Sequence, residues 1–240
     1  MAKKHVRSFY IFTILALLLS QFGLIPAVAA GNFTVNSTTD AVDDNPGDGV
    51  CETATPGVCT LRAAIQEANA LSGADMIALP AGTYTLSIAG TGEDAAATGD
   101  LDITGSLEIV GAEAETTIID ADDLDRVFQI FPHDSLTAQG LTIRNGNGDM
   151  GSGVYVAPGG TFILNEGVIA DNIASSGGGV FSSGNTTIRG SLVVNNSSSL
   201  DDGGGLFASS TGIMILENST VANNSAANYG GGLVTTGNVE

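Results

Sequence analysis

Gly177-Gly178-Gly179-Val180-Phe181, Gly203-Gly204-Gly205-Leu206-Phe207 and Gly230-Gly231-Gly232-Leu233-Val234 are three copies of one motif, a glycine triplet followed by two apolar residues. A degenerate copy, Gly151-Ser152-Gly153-Val154-Tyr155, precedes them. The third glycine (Gly153, Gly179, Gly205, Gly232) recurs after 26, 26 and 27 residues. A fixed period of this length marks one supersecondary unit laid on copies of itself, so the chain reads as a solenoid.

The apolar residues keep the same step. Phe128, Val154, Val180 and Leu206 are 26 apart, as are Leu136, Phe162, Ile188 and Met214. Ile143 and Ile169 begin a third column, which Val221 rejoins; Val193 stands two residues early. Each period thus holds three short apolar segments with alternation inside them (Phe128 and Ile130, Phe162 and Leu164), which is strand patterning. Gly, Ser, Thr and Asn fill the remainder and disfavour helix. The expectation is an all-β parallel β-helix of about five coils over residues 101–240, with Phe128, Val154, Val180 and Leu206 as one buried column.

Two further columns follow from the register. Asn172, Asn196 and Asn224 come after the third strand of successive repeats, each preceded by Asp171, Asn195 or Asn223. They are expected to form a turn ladder, with amides hydrogen-bonded along the rod axis. The other reading is N-glycosylation, since Asn195, Asn196, Asn218 and Asn223 begin sequons. If Val154, Val180 and Leu206 face inward, then Tyr155, Phe181 and Phe207 face outward, as a candidate binding surface for a sugar or a partner. Stabilisation of the sheet by rings packed along it, or cover by another segment, accounts for the same three residues.

Lys3, Lys4 and Arg7, an apolar run from Phe9 to Leu19 and the small-residue site Ala27-Val28-Ala29 read as a secretory signal peptide over residues 1–30, the alternative being an uncleaved anchor. The mature chain is expected to be secreted, extracellular or at the cell surface, without membrane insertion. It keeps four Arg, no Lys and 26 acids, a formal charge of 4 − 26 = −22. That charge excludes nucleic acid as a partner and leaves an extracellular polysaccharide or another surface protein. Cys51 and Cys59, the only cysteines, read as a disulfide in an exported chain, against the alternative of free thiols.

After Cys59, the residues Leu61, Ala64, Ile65, Ala68 and Leu71 share one helical face, with Thr60 as N-cap. A helix here can cover the open end of the rod. The run Cys59-Thr60-Leu61-Arg62-Ala63-Ala64-Ile65, then Asn69-Ala70, then Ile77-Ala78-Leu79-Pro80-Ala81-Gly82-Thr83-Tyr84, resembles the CSLREA domain from about Asn32 to Leu86. Thr60 stands where that family has Ser and Ala63 where it has Glu, so the cap residue remains but the capping box does not. The resemblance implies an N-terminal region over residues 31–100 (capping segment and first strands) ahead of a pectin-lyase-like, right-handed parallel β-helix. The glycine and Asn repeats resemble, more loosely, those of polymorphic outer-membrane proteins. Neither resemblance supplies a catalytic residue.

The lyases of this fold use calcium, clustered acids and an Arg or Lys base. Here Arg126 beside Asp122, Asp123 and Asp125 is the one acid-and-base cluster, and it also reads as a local ion pair in a turn. His133-Asp134 stands alone, and Asp201-Asp202 is a pair of carboxylates by count only. Asp43, Asp44 and Asp48, with Asp40 and Asn45, form an oxygen-rich loop that is a candidate calcium site or a solvated acidic turn. No other cofactor is expected. Two functions follow: a structural, display or adhesive module without catalysis, or a polysaccharide lyase or glycoside hydrolase, which a cleft holding Arg126 or Arg144 against several carboxylates would favour. Glu240 stops within an unfinished coil, so the sequence is expected to be part of a longer one.

Overall fold

A computed structural model of the chain describes residues 30–236 and 238–239; the expected signal peptide lies outside them apart from Ala30. The chain forms a parallel β-solenoid of about five coils, with strands gathered into four sheets. The eight-stranded sheet runs from Asn32–Thr34 and Ala74–Leu79 through Ser106–Gly111, Ser135–Gln139, Thr161–Asn165, Asn185–Arg189 and Ile213–Glu217 to Asn238–Val239. Two six-stranded sheets start at Leu101–Ile103 and at Gly82–Thr85, and a four-stranded sheet starts at Asn147–Met150. The first coil therefore opens at Ala74, ahead of residue 101.

Phe128, Val154, Val180 and Leu206 pair strand to strand and are fully buried, as their spacing requires. The second column needs correction. Phe162 stands opposite Thr186, and Thr186 opposite Met214, while Ile188 pairs with Leu164 and Leu216. The cause is a short turn. Ser183 and Gly184 alone separate Val180–Ser182 from Asn185–Arg189, where the neighbouring coils use Ala157 to Gly160 and Ser209 to Gly212. The same loss of two residues places Val193 opposite Ile169 and Val221. Thr186 is consequently an interior polar residue; its Oγ1 bonds the buried Ser182 Oγ at 2.9 Å, which removes the cost of an unpaired hydroxyl.

The Asn residues form the expected ladder. Asn172 Nδ2 donates to Asn196 Oδ1 at 2.8 Å, and Asn196 Nδ2 to Asn224 Oδ1 at 3.0 Å. Their other hydrogens go back to the Ile143, Ile169 and Val193 carbonyls of the preceding coil. The left-handed conformation falls one residue earlier, on Asn145, Asp171, Asn195 and Asn223 (φ 55° to 58°), where short polar side chains tolerate it. Packing explains the glycine triplets. A Cβ on Gly178 would lie 2.4 Å from the Gly204 carbonyl oxygen, and one on Gly204 2.0 Å from that of Ser225. Consecutive coils touch backbone to backbone at this corner, which only glycine permits.

The helix Leu61–Ala70 packs on the first-coil strands Ala74–Leu79 and Leu101–Ile103, with Leu61 and Ile65 buried. Thr60 Oγ1 accepts from Ala63 N at 3.1 Å, so the cap forms without its box. Cys51 and Cys59 are joined as a disulfide, Cα atoms 5.2 Å apart. Arg62, in the first turn of the helix, is completely buried. It forms a two-pronged pair with Asp40, Nε to Oδ1 at 2.6 Å and Nη2 to Oδ2 at 3.2 Å, and donates to the carbonyls of Ala96, Gly99 and Asp100. No helix among the described residues is long and apolar enough to cross a membrane.

Candidate functional site

Tyr155, Phe181 and Phe207 occupy one outward column, half-buried, preceded by Gln129 and followed by Val234. Ring centroids lie 5.9 Å and 4.8 Å apart, with planes within 20° and 8° of parallel. Strand spacing alone produces this geometry, since residues in register on adjacent strands are about 4.8 Å apart. The faces of the rings are thus turned along the rod onto one another. The Arg126 guanidinium covers the free side of Tyr155, 5.1 Å from its centroid. What the column offers a partner is ring edges, because its faces are already occupied.

The column ends in a cleft of about 410 Å³ whose lining includes Arg126, Asp100, Asp125, Glu93, Asp94 and Asp149. Three stretches of chain meet there: the loop from residue 91 to 100, the turn before Phe128–Ile130, and Asn147–Met150. Arg126 is where sequence reasoning put it, but its partner is not one of its neighbours. Its Nε lies 3.5 Å from Asp100 Oδ2, one coil away (126 − 100 = 26), and its Nη1 donates to Gln129 Oε1 at 3.0 Å. Asp122 and Asp123 are instead turn residues at φ 51° and 58°. The period itself was the available signal for Asp100, since residues 26 apart adjoin across coils.

Asp102 lies behind this cleft, on the outer face of its strand and opposite Gln129. It is fully buried; Oδ2 accepts from Ala96 N at 2.9 Å, and Oδ1 has no partner. Burial pushes the Asp102 carboxyl up to about 7, opposed by the Ala96 hydrogen bond and reinforced by the charges of Asp100, Glu93 and Asp94. Burial likewise raises Asp100 to about 6, against the pull of Arg126. Both groups hold protons more tightly folded than unfolded, so their contribution favours the fold in acid and is lost as pH rises from about 4 through 7. Asp102→Asn is expected to abolish most of that loss. The difference in unfolding free energy between variant and parent, measured by urea titration, should grow in the variant's favour by on the order of 2 kcal/mol between pH 4.5 and 7.5. A pH-independent difference would show that Asp102 is ionised throughout.

The remaining arginines are committed. Arg144 Nη2 meets Asp120 Oδ2 at 2.7 Å, and Arg189 Nε meets Glu217 Oε2 at 2.7 Å on the surface. With Arg62 on Asp40 and Arg126 on Asp100, all four arginines of the described residues face a carboxylate. Asp202 Oδ1 accepts from Tyr229 N and Ser198 Oγ supports Asp201 N, so that pair shapes a turn. His133 (φ 73°) occupies another turn.

At Asp43, Asp44 and Asp48, the candidate calcium loop, the carboxylates also serve to wire the loop to itself. Asp43 is buried and spends both oxygens on backbone, Oδ1 on Asn45 N and Oδ2 on Glu52 N. Asp48 accepts from Val50 N and from the Asn45 side-chain Nδ2, and Asp44 is left exposed. The organiser is Glu67 on the helix, a residue the sequence reading passed over. Its carboxylate, wholly buried, accepts from Gly47 N at 2.5 Å and from Gly49 N. An anion in a nest of amides thus holds this loop in place. No group of three acidic, His or Cys side chains among the described residues is placed to hold a metal ion.

No protein-family model, curated protein or solved structure matches the chain.

Proposed function

We propose that the mature chain is a secreted or surface-displayed rod of the CSLREA-containing, pectin-lyase-like kind, with a structural, display or adhesive role. The observation that carries this reading is the coil-on-coil bonding of its corners. A buried amide ladder, a stacked aromatic column and close-packed glycine turns run along one axis, and each is a device for stiffness. The disulfide beneath the helix fits an oxidising compartment.

A second reading, a lyase or hydrolase acting on acidic polysaccharide, is favoured by the cleft, which does bring Arg126 against several carboxylates. Charge opposes it. A polyanion would meet five acids and one arginine already paired with Asp100. Proton abstraction also needs an unprotonated base within reach of the substrate carbon. Incubation with polygalacturonate and calcium is expected to release no unsaturated product, with Arg126→Ala indistinguishable from the parent. Product formation that vanishes with Arg126→Ala or with a chelator would establish the enzymatic reading instead.

A further inference from the structure

The sequence holds two Asn-Gly dipeptides, in tandem at Asn145-Gly146-Asn147-Gly148, and the fold treats them differently. Asparagine followed by glycine is open to imide closure. The glycine N can swing onto the asparagine Cγ with no side chain in its way and with a freely adaptable backbone.

Asn145 is held at both nitrogens that closure would use. Its Nδ2 donates to Asp120 Oδ1 at 2.9 Å, and the attacking atom, Gly146 N, donates to the buried Asn172 Oδ1 at 2.8 Å. Gly146 is itself buried, and the Ser152 carbonyl oxygen lies 2.0 Å from where a Cβ would stand. Closure at Asn145 requires the end of the amide ladder to open.

Asn147 is exposed, and its side chain has no hydrogen-bond partner among the described residues. Gly148 N makes one bond, to Ser152 Oγ at 2.8 Å. Its strand, Asn147–Met150, is the edge of the four-stranded sheet and pairs on one side only, with Ile173–Ser176. Local opening of such an edge costs far less than opening a packed corner. Room is present as well: a Cβ on Gly148 would meet nothing nearer than Ser152 Oγ, 3.6 Å away.

We propose that Asn147 is a self-modification site, which loses its side-chain amide spontaneously in the folded chain while Asn145 stays intact. Gly148 N bonds to Asn147 Cγ, the Cγ–Nδ2 bond breaks, and the nitrogen leaves as ammonia with the proton from Gly148 N. Water then opens the five-membered imide. Opening at the side-chain carbonyl gives aspartate. Opening at the main-chain carbonyl gives isoaspartate, in which the chain runs through the former side chain. Either product adds a carboxylate next to Asp149 in the wall of the cleft. Isoaspartate also adds one carbon to the main chain of the edge strand, which disturbs the pairing of Gly148 with Ala174.

The test is peptide mapping by mass spectrometry, with chromatographic separation of aspartate from isoaspartate. The mature chain is incubated at mildly alkaline pH in buffer and, in parallel, in urea that unfolds it. In urea the two asparagines are expected to convert at similar rates. In buffer Asn147 should convert at least about tenfold faster than Asn145. Gly148→Ala should slow conversion of Asn147 about tenfold, since the methyl crowds the attacking nitrogen, whereas the fold has space for it. The unfolding midpoint of that variant verifies its fold. The proposal is overturned if Asn147 stays intact in buffer over the time in which it converts in urea, if Asn145 keeps pace with it in the folded chain, or if Gly148→Ala leaves the rate unchanged.

Discussion

Arg62→Met is expected to destabilise the folded chain by about 3–5 kcal/mol, the range found when one member of a buried ion pair is removed. The side chain is inaccessible to solvent, as is nearly all of Asp40. Methionine fills much of the volume but leaves the Asp40 carboxylate with only the Ser87 and Ile88 amides, at 2.7 Å and 3.0 Å, and strips donors from three carbonyls. Those carbonyls belong to the loop that walls the cleft, so this substitution loosens the loop's hold on the helix, leaving the Gln66 Nε2 bond to the Ala95 carbonyl. Urea titration at pH 7 measures the loss. The double variant Arg62→Met, Asp40→Leu should recover a substantial part, because the stranded charge is then gone. A single variant as stable as the parent would mean that water replaces the arginine, contrary to the burial described.

Asn196→Ala is expected to cost about 3–5 kcal/mol, and Asn224→Ala less than half of that. Asn196 sits in the middle of the ladder, 1% exposed. Its Oδ1 accepts from the backbone N and the Nδ2 of Asn172, and its Nδ2 donates to the Ile169 carbonyl and Asn224 Oδ1. Truncation leaves several buried groups unsatisfied, each costing about 1–3 kcal/mol. Asn224 is only partly buried, so water can replace much of what it loses. Equal effects at the two positions, read as shifts in the urea midpoint, would show that the ladder is solvated.

The solenoid was legible because its period is repeated in glycine, in apolar residues and in asparagine at once, and columns such as Phe128 to Leu206 kept one spacing throughout. The slip at Thr186 was not legible. Strand side chains alternate with a period of two, so losing two residues from a turn leaves every residue on its own face and only exchanges Thr186 for Ile188 in the column. Both patterns look acceptable in sequence, and turn length decides between them. At the candidate site, the outward position of Tyr155, Phe181 and Phe207 followed from alternation, but the direction of their faces did not, being set by the distance between strands. Arg126 stood out by its acidic neighbours, whereas Asp100 and Asp102 owe their importance to the burial that the loop from 91 to 100 imposes. Glu67 was hidden for a related reason. An acid on a helix gives no sign that two glycine amides from a distant loop will enclose it.

The amide ladder has a direction. Asn172 and Asn196 each give one Nδ2 hydrogen to the Asn of the following coil and the other to a carbonyl of the preceding one, while Asn196 and Asn224 accept from the Asn of the coil before. A newly laid coil therefore arrives with an acceptor already matched to the growing end, and exposes a donor that only the next coil can use. Each coil laid on the one before meets a matching donor, and the outermost coil, the frontier, keeps a ladder hydrogen for the next. The interior inherits its order from its neighbours on both sides; the frontier has one neighbour and frays first.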